Sequence, residues 1–108
     1  MDLPTAIRVG PYDFRITRVP KEALQTGCFA DCNTPTQVIR IDEIVTGVLL
    51  VDCVLHELTH ALWWTSGLDH EALEERAICS LSTGWVQVWR DNPRLLEWIG
   101  FVLTSLRG

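Results

Sequence analysis

The segment His56-Glu57-Leu58-Thr59-His60 carries the clearest chemistry in this sequence. On an α-helix, residues four positions apart share a face, so the imidazoles of His56 and His60 would project side by side and could hold one metal ion. Glu57 would lie about 100° around the helix from His56, beside the metal and able to take a proton from a bound water. The spacing therefore predicts the His-Glu-x-x-His centre of a zinc hydrolase, in which Zn²⁺ lowers the pKa of its water to about 7.

The residues around this motif, from 48 to 64, are mostly apolar. A helix that is hydrophobic on every side is typical of a protein core. Polar and charged groups are costly in such a helix unless they are paired or bound to metal. We therefore expect the motif to lie in the middle of a buried helix, and we favour the metal site over the alternative of two ordinary solvent-facing histidines.

A catalytic Zn²⁺ usually has three protein ligands and one water, so a third ligand is expected after His60. Four side chains just downstream are candidates: His70, Glu71, Glu74 and Glu75. Gly67 predicts the end of the first helix and Asp69 the N-cap of a second, which gives a tight helical hairpin. If the hairpin folds about Leu68, Glu74 and Glu75 lie level with His60, whereas position 70 lies about one and a half turns too near the bend. This geometry alone does not separate Glu74 from Glu75.

The motif and the glutamates that follow it resemble those of the minimal zincin-like metallopeptidases, which include small phage-encoded proteins and, more distantly, the ImmA/IrrE group. In the phage proteins the second helix reads Glu-x-x-Val/Ile-x-x-Leu and ends in an Asp-Asn-Pro turn. Here the corresponding segments are Glu75-Arg76-Ala77-Ile78-Cys79-Ser80-Leu81 and Asp91-Asn92-Pro93. The resemblance covers residues 28–99 and implies that Glu75 is the third ligand, with Glu74 in reserve. The metzincin pattern is absent, because Ser66 stands where that pattern has a histidine.

A donor for the oxyanion that forms at an attacked carbonyl is not obvious in the sequence. Many peptidases of this type use a Tyr or a His for this purpose. The only tyrosine is Tyr12, far from the motif in sequence, and the only other histidine is His70. Arg76 is a further candidate, although a solvated surface cation is its more ordinary interpretation. Asp52, one turn before His56, would either orient that imidazole or simply be a polar residue near the start of the helix.

The remaining elements predict an α+β fold. Four segments alternate apolar and polar residues or follow turn signals, as strands do: residues 6–9, 13–19, 27–32 and 37–41. Asn92-Pro93 predicts the start of a last helix. Strands followed by helices predict one domain over residues 1–108, with a small N-terminal β-sheet of three to four strands packed on three C-terminal helices. The resemblance implies a zincin-like arrangement in which an edge strand, for which residues 27–32 are the candidate, holds an extended peptide.

Composition narrows the partners and the location. A net charge of −5 argues against nucleic-acid binding, and the longest apolar run, residues 48–51, is far shorter than the about 20 residues of a membrane span. The start Met1-Asp2-Leu3-Pro4 lacks a signal-peptide pattern, so we expect a cytoplasmic protein, bacterial or from a phage-infected host. Four cysteines would stay reduced there, and Cys28 and Cys32 are read as strand residues rather than as a second metal site. Trp85 and Trp89 are expected to fill the core.

The leading hypothesis is a zinc-dependent metallopeptidase that acts on a peptide or protein substrate. His56, His60 and Glu75 would hold Zn²⁺, and Glu57 would act as the general base. The alternative is a non-catalytic zinc-binding protein in which the site serves stability or partner binding. Hydrolysis of a non-peptide amide is a third reading of the same motif.

Overall fold

The architecture is that of an α+β domain, in which a four-stranded sheet precedes three helices. In this computed structural model the backbone of residues 1–67 and 74–105 is described, with the side chains of these residues except 74–79 and 82. The strands are β1 (Ala6–Val9), β2 (Tyr12–Val19), β3 (Ala30–Asn33) and β4 (Val38–Asp42). The helices are α1 (Gly47–Thr65), α2 (Glu74–Asp91) and α3 (Pro93–Ser105), and a short 3-10 helix, Lys21–Ala23, follows β2. The predicted fold class is confirmed.

The strands are ordered β1-β2-β4-β3 in the sheet. β1 pairs with β2 in an antiparallel hairpin, and β3 pairs with β4 in a second one. The two hairpins are joined by the parallel pairing of β2 with β4, in which Ile16 lies opposite Ile39. β1 and β3 are therefore the two edge strands, and helix α1 packs more extensively against β3 than against β1.

One face of the sheet is apolar and the other is polar, as the period-two alternation predicts. Six side chains form the apolar face and are buried under the helices: Ile7, Val9, Phe14, Ile16, Ile39 and Ile41. The opposite face carries charged residues in pairs. Arg8 lies 3.6 Å from Asp13, and Arg40 is paired with Asp31 across β3 and β4. The helices therefore cover one side of the sheet only.

Helix α1 packs on the apolar face and contributes Leu50, Val54, Leu58 and Leu62 to the core. It ends at Thr65, close to the predicted stop at Gly67, which adopts a positive φ of 67° and donates its N–H to Trp64 O at 3.2 Å. Within the described ranges no helix combines the length and the apolar character needed to cross a bilayer.

Helix α2 approaches α1 closely at Gly84. A Cβ added there would lie 2.6 Å from Cδ2 of Leu62, so only glycine fits without a shift. The predicted hairpin, folded about Leu68, would place position 74 level with Leu62. In the structure Gly84 contacts Leu62 instead, ten residues further along α2. The predicted N-cap Asp69 lies outside the described residues. Trp85 and Trp89 pack against the core as half-buried side chains, and they are stacked on each other with ring centroids 5.1 Å apart.

Candidate metal centre

Helix α1 brings His56, Glu57 and His60 together as the sequence predicts. The two imidazole centroids lie 5.0 Å apart, with their planes at 69°. Potential ligand atoms of all three side chains lie within 4.8 Å of one another, and this is the group that could hold a metal ion in the described part of the chain. The helical spacing alone produces this arrangement, because the residues come from consecutive turns of one element.

The burial of the three side chains differs from what the apolar sequence predicts. Glu57 is buried, with 4% of its surface exposed, but His56 and His60 are both exposed. The expectation of a fully buried motif is therefore wrong for the imidazoles. The physical reason is that α1 rests on the sheet with one face only, and the other face exposes apolar residues such as Val48 and Leu49. Apolar residues on every side of this helix reflect an uncovered apolar surface rather than complete burial.

Glu57 is the unusual member of the group, because its Oε2 atom is buried and has no hydrogen-bond partner among the described residues. Burial raises the pKa of this carboxyl group, the nearby His56 and His60 lower it, and Asp31 raises it again. An unpartnered polar atom inside a protein is costly, and natural structures contain few. A water held between this carboxylate and a metal ion on the imidazoles would supply the missing donor. The donor set therefore fits a metal ion with a water beside it.

Strand β3 lies against α1 and places Cys32 near Glu57. Cys32 lies opposite Ile39 in the ladder, so its side chain is on the helix-facing side of the sheet. Burial, with the charges of Glu57 and Asp31, raises the pKa of Cys32 to about 12. Burial and neighbouring carboxylates also raise the pKa of Cys53, on the preceding turn of α1. Both thiols are therefore held in the protonated form, which is neither a nucleophile nor a good metal ligand.

The third ligand stays a prediction. Glu74 and Glu75 begin α2, but their side chains are outside the described set, as are His70, Glu71 and the side chain of Arg76. The expectation for Glu75 came from a hairpin register and from the resemblance. Because the contact at Gly84 displaces that register, the assignment now depends mainly on the resemblance.

Tyr12, which is distant from the motif in sequence, lies beside the end of α1 in the fold. Its ring lies 5.0 Å from that of Trp64, at 42°, and Phe14 meets Trp64 edge-on at 6.3 Å and 81°. Trp64 follows His60 by four residues and therefore continues the histidine face of α1. Two signals in the sequence could have found this contact: the shared strand face of Tyr12 and Phe14, and the four-residue step from His60 to Trp64. Asp52, by contrast, is exposed and makes no hydrogen bond to His56.

Comparison with known proteins gives no match to a protein-family model, to a curated protein or to a solved structure. The resemblance to the minimal zincins therefore has no support beyond the motif itself. The arrangement of His56, Glu57 and His60 is the finding on which a functional assignment can be built.

Proposed function

We propose that this chain is a zinc-dependent hydrolase of peptide bonds, with His56 and His60 as metal ligands, Glu57 as general base and Glu75 as the expected third ligand. The observation that carries the proposal is the buried, unpartnered Oε2 of Glu57 beside two exposed imidazoles. A purely structural helix would gain nothing from this carboxylate, because burying it without a partner destabilises the fold.

Each side chain has a distinct role in the proposed reaction. When bound, Zn²⁺ supplies a Lewis acid that acidifies a water and polarises the carbonyl of the substrate. Glu57 accepts a proton from the attacking water and returns it to the leaving amine. In the metal-free protein, burial raises the pKa of the Glu57 carboxyl group, which is the direction that favours a general base, since such a base works best when its pKa approaches the operating pH. The exposed imidazoles of His56 and His60 leave room for a substrate to approach from solvent.

The edge strand β3 supports a peptide as the substrate. Asp42 N–H donates to Phe29 O at 2.8 Å, and bonded pairs alternate along an antiparallel ladder. The main-chain groups of Ala30 and Cys32 therefore point away from β4, and they make no hydrogen bond within the described ranges. An extended peptide can add to such an edge through main-chain hydrogen bonds. The strand begins later than the predicted residues 27–32, but it is an edge strand against α1, as the proposal requires.

The second candidate function is a metal site without catalysis that docks a partner. The observation in its favour is the apolar surface on the exposed side of α1, where Leu49 and Trp63 flank the histidines. Such a patch is typical of interaction sites. In that case the carboxylate of Glu57 would be dispensable.

The test is zinc analysis of the purified protein together with cleavage of a mixed peptide pool, read by mass spectrometry. We expect Glu57→Gln to keep zinc and to cleave about 10²–10⁴ times more slowly, because an amide cannot accept the proton. Glu97→Gln, on the exposed side of α3, is the matched control and should cleave at the wild-type rate. Cleavage by the Glu57 variant at the wild-type rate would show that the assigned role is wrong. A zinc-loaded wild type that cleaves no member of the pool would favour the docking function.

A further inference from the structure

Two exposed aromatic rings stand at the end of the histidine face of α1. Tyr12 is 36% exposed and Trp64 is 38% exposed, although their rings are in contact. A buried Tyr or Trp normally gives its O–H or N–H a partner. In the described residues neither the Tyr12 hydroxyl nor the Trp64 indole N–H makes a hydrogen bond, and both rings reach solvent. The pair therefore has free apolar surface to offer to a third group.

The rings lie within reach of the metal centre. Trp64 is one step of four residues, about 6 Å along the helix axis, from His60. Helical side chains lean toward the N-terminus, so the indole of Trp64 leans toward His60. In an extended peptide this distance corresponds to about two residues, each rising about 3.3 Å. A side chain about two residues from the metal-bound group would therefore meet the ring pair.

The ring pair is held in place by the β1–β2 hairpin. Gly10 in the turn fits against Thr65, where an added Cβ would lie 3.6 Å from the threonine Cβ. Its N–H donates to Gln87 Oε1 at 2.7 Å, so the turn is fixed to α1 and to α2. Phe14 supports Trp64 from the core side. A platform fixed from three sides loses little entropy when a ligand binds.

The chemistry of the surroundings favours an apolar ligand over a cation. Asp13 follows Tyr12 in sequence, but it lies on the opposite, polar face of the sheet, where its carboxylate is 3.6 Å from Nε of Arg8. It therefore offers no negative charge to a cation placed on the rings. Aromatic faces alone are complementary to another ring or to a branched aliphatic group.

We propose that Tyr12 and Trp64 form a subsite for an aromatic or large aliphatic side chain of the molecule bound at the metal centre. The subsite selects peptides that carry such a residue about two positions from the bond that is cut, on the side nearer the end of α1. This inference rests on the proposed function, and it assigns a substrate class to the same site.

The test uses probes that need no catalysis. A hydroxamate group, which binds zinc, is linked through an extended spacer of about two residues to a phenylalanine, leucine, lysine or alanine side chain. Affinities are measured by calorimetry on the zinc-loaded protein. We expect the phenylalanine probe to bind about tenfold more tightly than the alanine probe, with leucine close behind and lysine no better than alanine.

Substitutions test whether the rings of Tyr12 and Trp64 cause the preference for the phenylalanine probe. Tyr12→Ala and Trp64→Ala should each reduce the phenylalanine preference toward unity while zinc content and the affinity for the alanine probe stay at wild-type values. Tyr12→Phe should keep the preference, because it keeps the ring. Phe101→Ala is the matched control, since it removes an exposed aromatic ring on α3 rather than on the histidine face of α1. If Trp64→Ala fails to fold, the two Tyr12 variants still decide the question.

The outcomes separate this inference from the proposed function. Equal binding of the phenylalanine and alanine probes to the zinc-loaded wild type would overturn the subsite and leave the metal centre intact. A preference for lysine, or a loss of preference in Phe101→Ala but not in Trp64→Ala, would overturn it as well. A zinc-loaded protein that binds no hydroxamate would reject the open metal site and the subsite with it.

Discussion

The two edge strands of the sheet differ in what happens to their outward main-chain groups. On β1, Arg8 points its N–H and C=O away from β2, and the side chain of Asn92 meets both, at 2.9 Å each. The side-chain amide of Gln87 donates a hydrogen bond to Arg8 O at 3.1 Å and accepts one from Gly10 N–H at 2.7 Å. These amides, at the end of α2 and just after it, occupy the β1 edge much as a neighbouring strand would.

On β3 the corresponding groups belong to Ala30 and Cys32, and in the described ranges no side chain meets them. An unprotected edge strand invites further strands, and proteins usually cover or shorten such edges. Side chains therefore meet the β1 edge at Arg8 and Gly10, whereas the β3 edge beside Glu57 is open at Ala30 and Cys32 in the described residues. Strand addition on the β3 side, where the proposed chemistry would take place, therefore meets fewer competing side-chain hydrogen bonds than at Arg8 on β1.

The largest expected effect concerns the third zinc ligand of the metal centre, beside the open edge. Removal of a true third ligand leaves two histidines, which make a poor zinc site, whereas removal of its neighbour costs only a charge. We expect Glu75→Ala to weaken zinc binding at neutral pH by more than about 100-fold, beyond the usual effect of an outer-shell change. Glu74→Ala should retain most of the zinc. Competition with a chromogenic chelator measures both.

The reverse result would favour Glu74, and zinc retained in both variants would reject the glutamate assignment and return His70 as a candidate.

The second prediction removes the cover from the β1 edge. Asn92→Ala deletes hydrogen bonds to Arg8 and to Val88 O, so it should lower the free energy of unfolding by about 2–4 kcal/mol. It should also promote self-association at the exposed edge, visible by sedimentation velocity. The matched control is Asn33→Ala, on β3, where the side chain accepts only the N–H of Thr36, at 3.1 Å. Equal effects of the two changes would contradict the special role of Asn92.

A substitution on β3 should close the open edge to peptides without unfolding the sheet. The N–H of Ala30 points outward, so Ala30→Pro removes a donor for an added peptide but no ladder bond, which proline tolerates on an edge strand. We expect about tenfold weaker binding of peptides, with the melting temperature little changed. Asp31→Pro is the control, because the N–H of Asp31 faces β4 and its loss should destabilise the fold. Undiminished peptide binding by Ala30→Pro would argue that the substrate does not lie along β3.

The smallest effect concerns the pH dependence of stability in the metal-free protein. The pKa of Glu57 is raised in the folded state above its ordinary value of 4.5, so the folded state holds the proton more tightly than the unfolded state. The contribution of Glu57 to the free energy of unfolding is therefore fully present below pH 4.5, and it is lost as the pH rises through the pKa of the folded state. Glu57→Gln should therefore be more stable than wild type by about 1 kcal/mol at pH 7 and equally stable near pH 4.

Thermal melts at the two pH values, with Glu97→Gln as the control, measure this difference. A gain that is the same at both pH values would mean that charge is not its cause.

The sequence predicted much of the fold because its signals are local. Alternation such as that of Phe14 and Ile16 defines strands and their buried face, and Gly67 defines the end of α1. The strand order is not local, since period-two patterns do not reveal which strand lies beside which. The exposure of His56 and His60 was missed for a related reason. Apolar residues such as Leu49 look the same in sequence whether they are buried or form a surface.

The site was predicted where its members share one helix and missed where they do not. His56, Glu57 and His60 follow from spacing alone. The contact of Tyr12 with Trp64 joins residues from opposite ends of the described N-terminal region, and only the sheet and helix together bring them into contact. The displaced contact at Gly84 shows the same limit for the α1–α2 hairpin.

The parallel pairing of β2 with β4 also has a kinetic consequence. Each of the two hairpins closes a short loop and can form early, but their union joins residues such as Ile16 and Ile39 across a long stretch of chain. The ring of Tyr12 belongs to the first hairpin and the open edge at β3 to the second. We therefore expect the two ends of the proposed substrate site to meet only once the hairpins have joined. If the proposed function holds, a chain that is still folding would lack an assembled site with which to cut its neighbours.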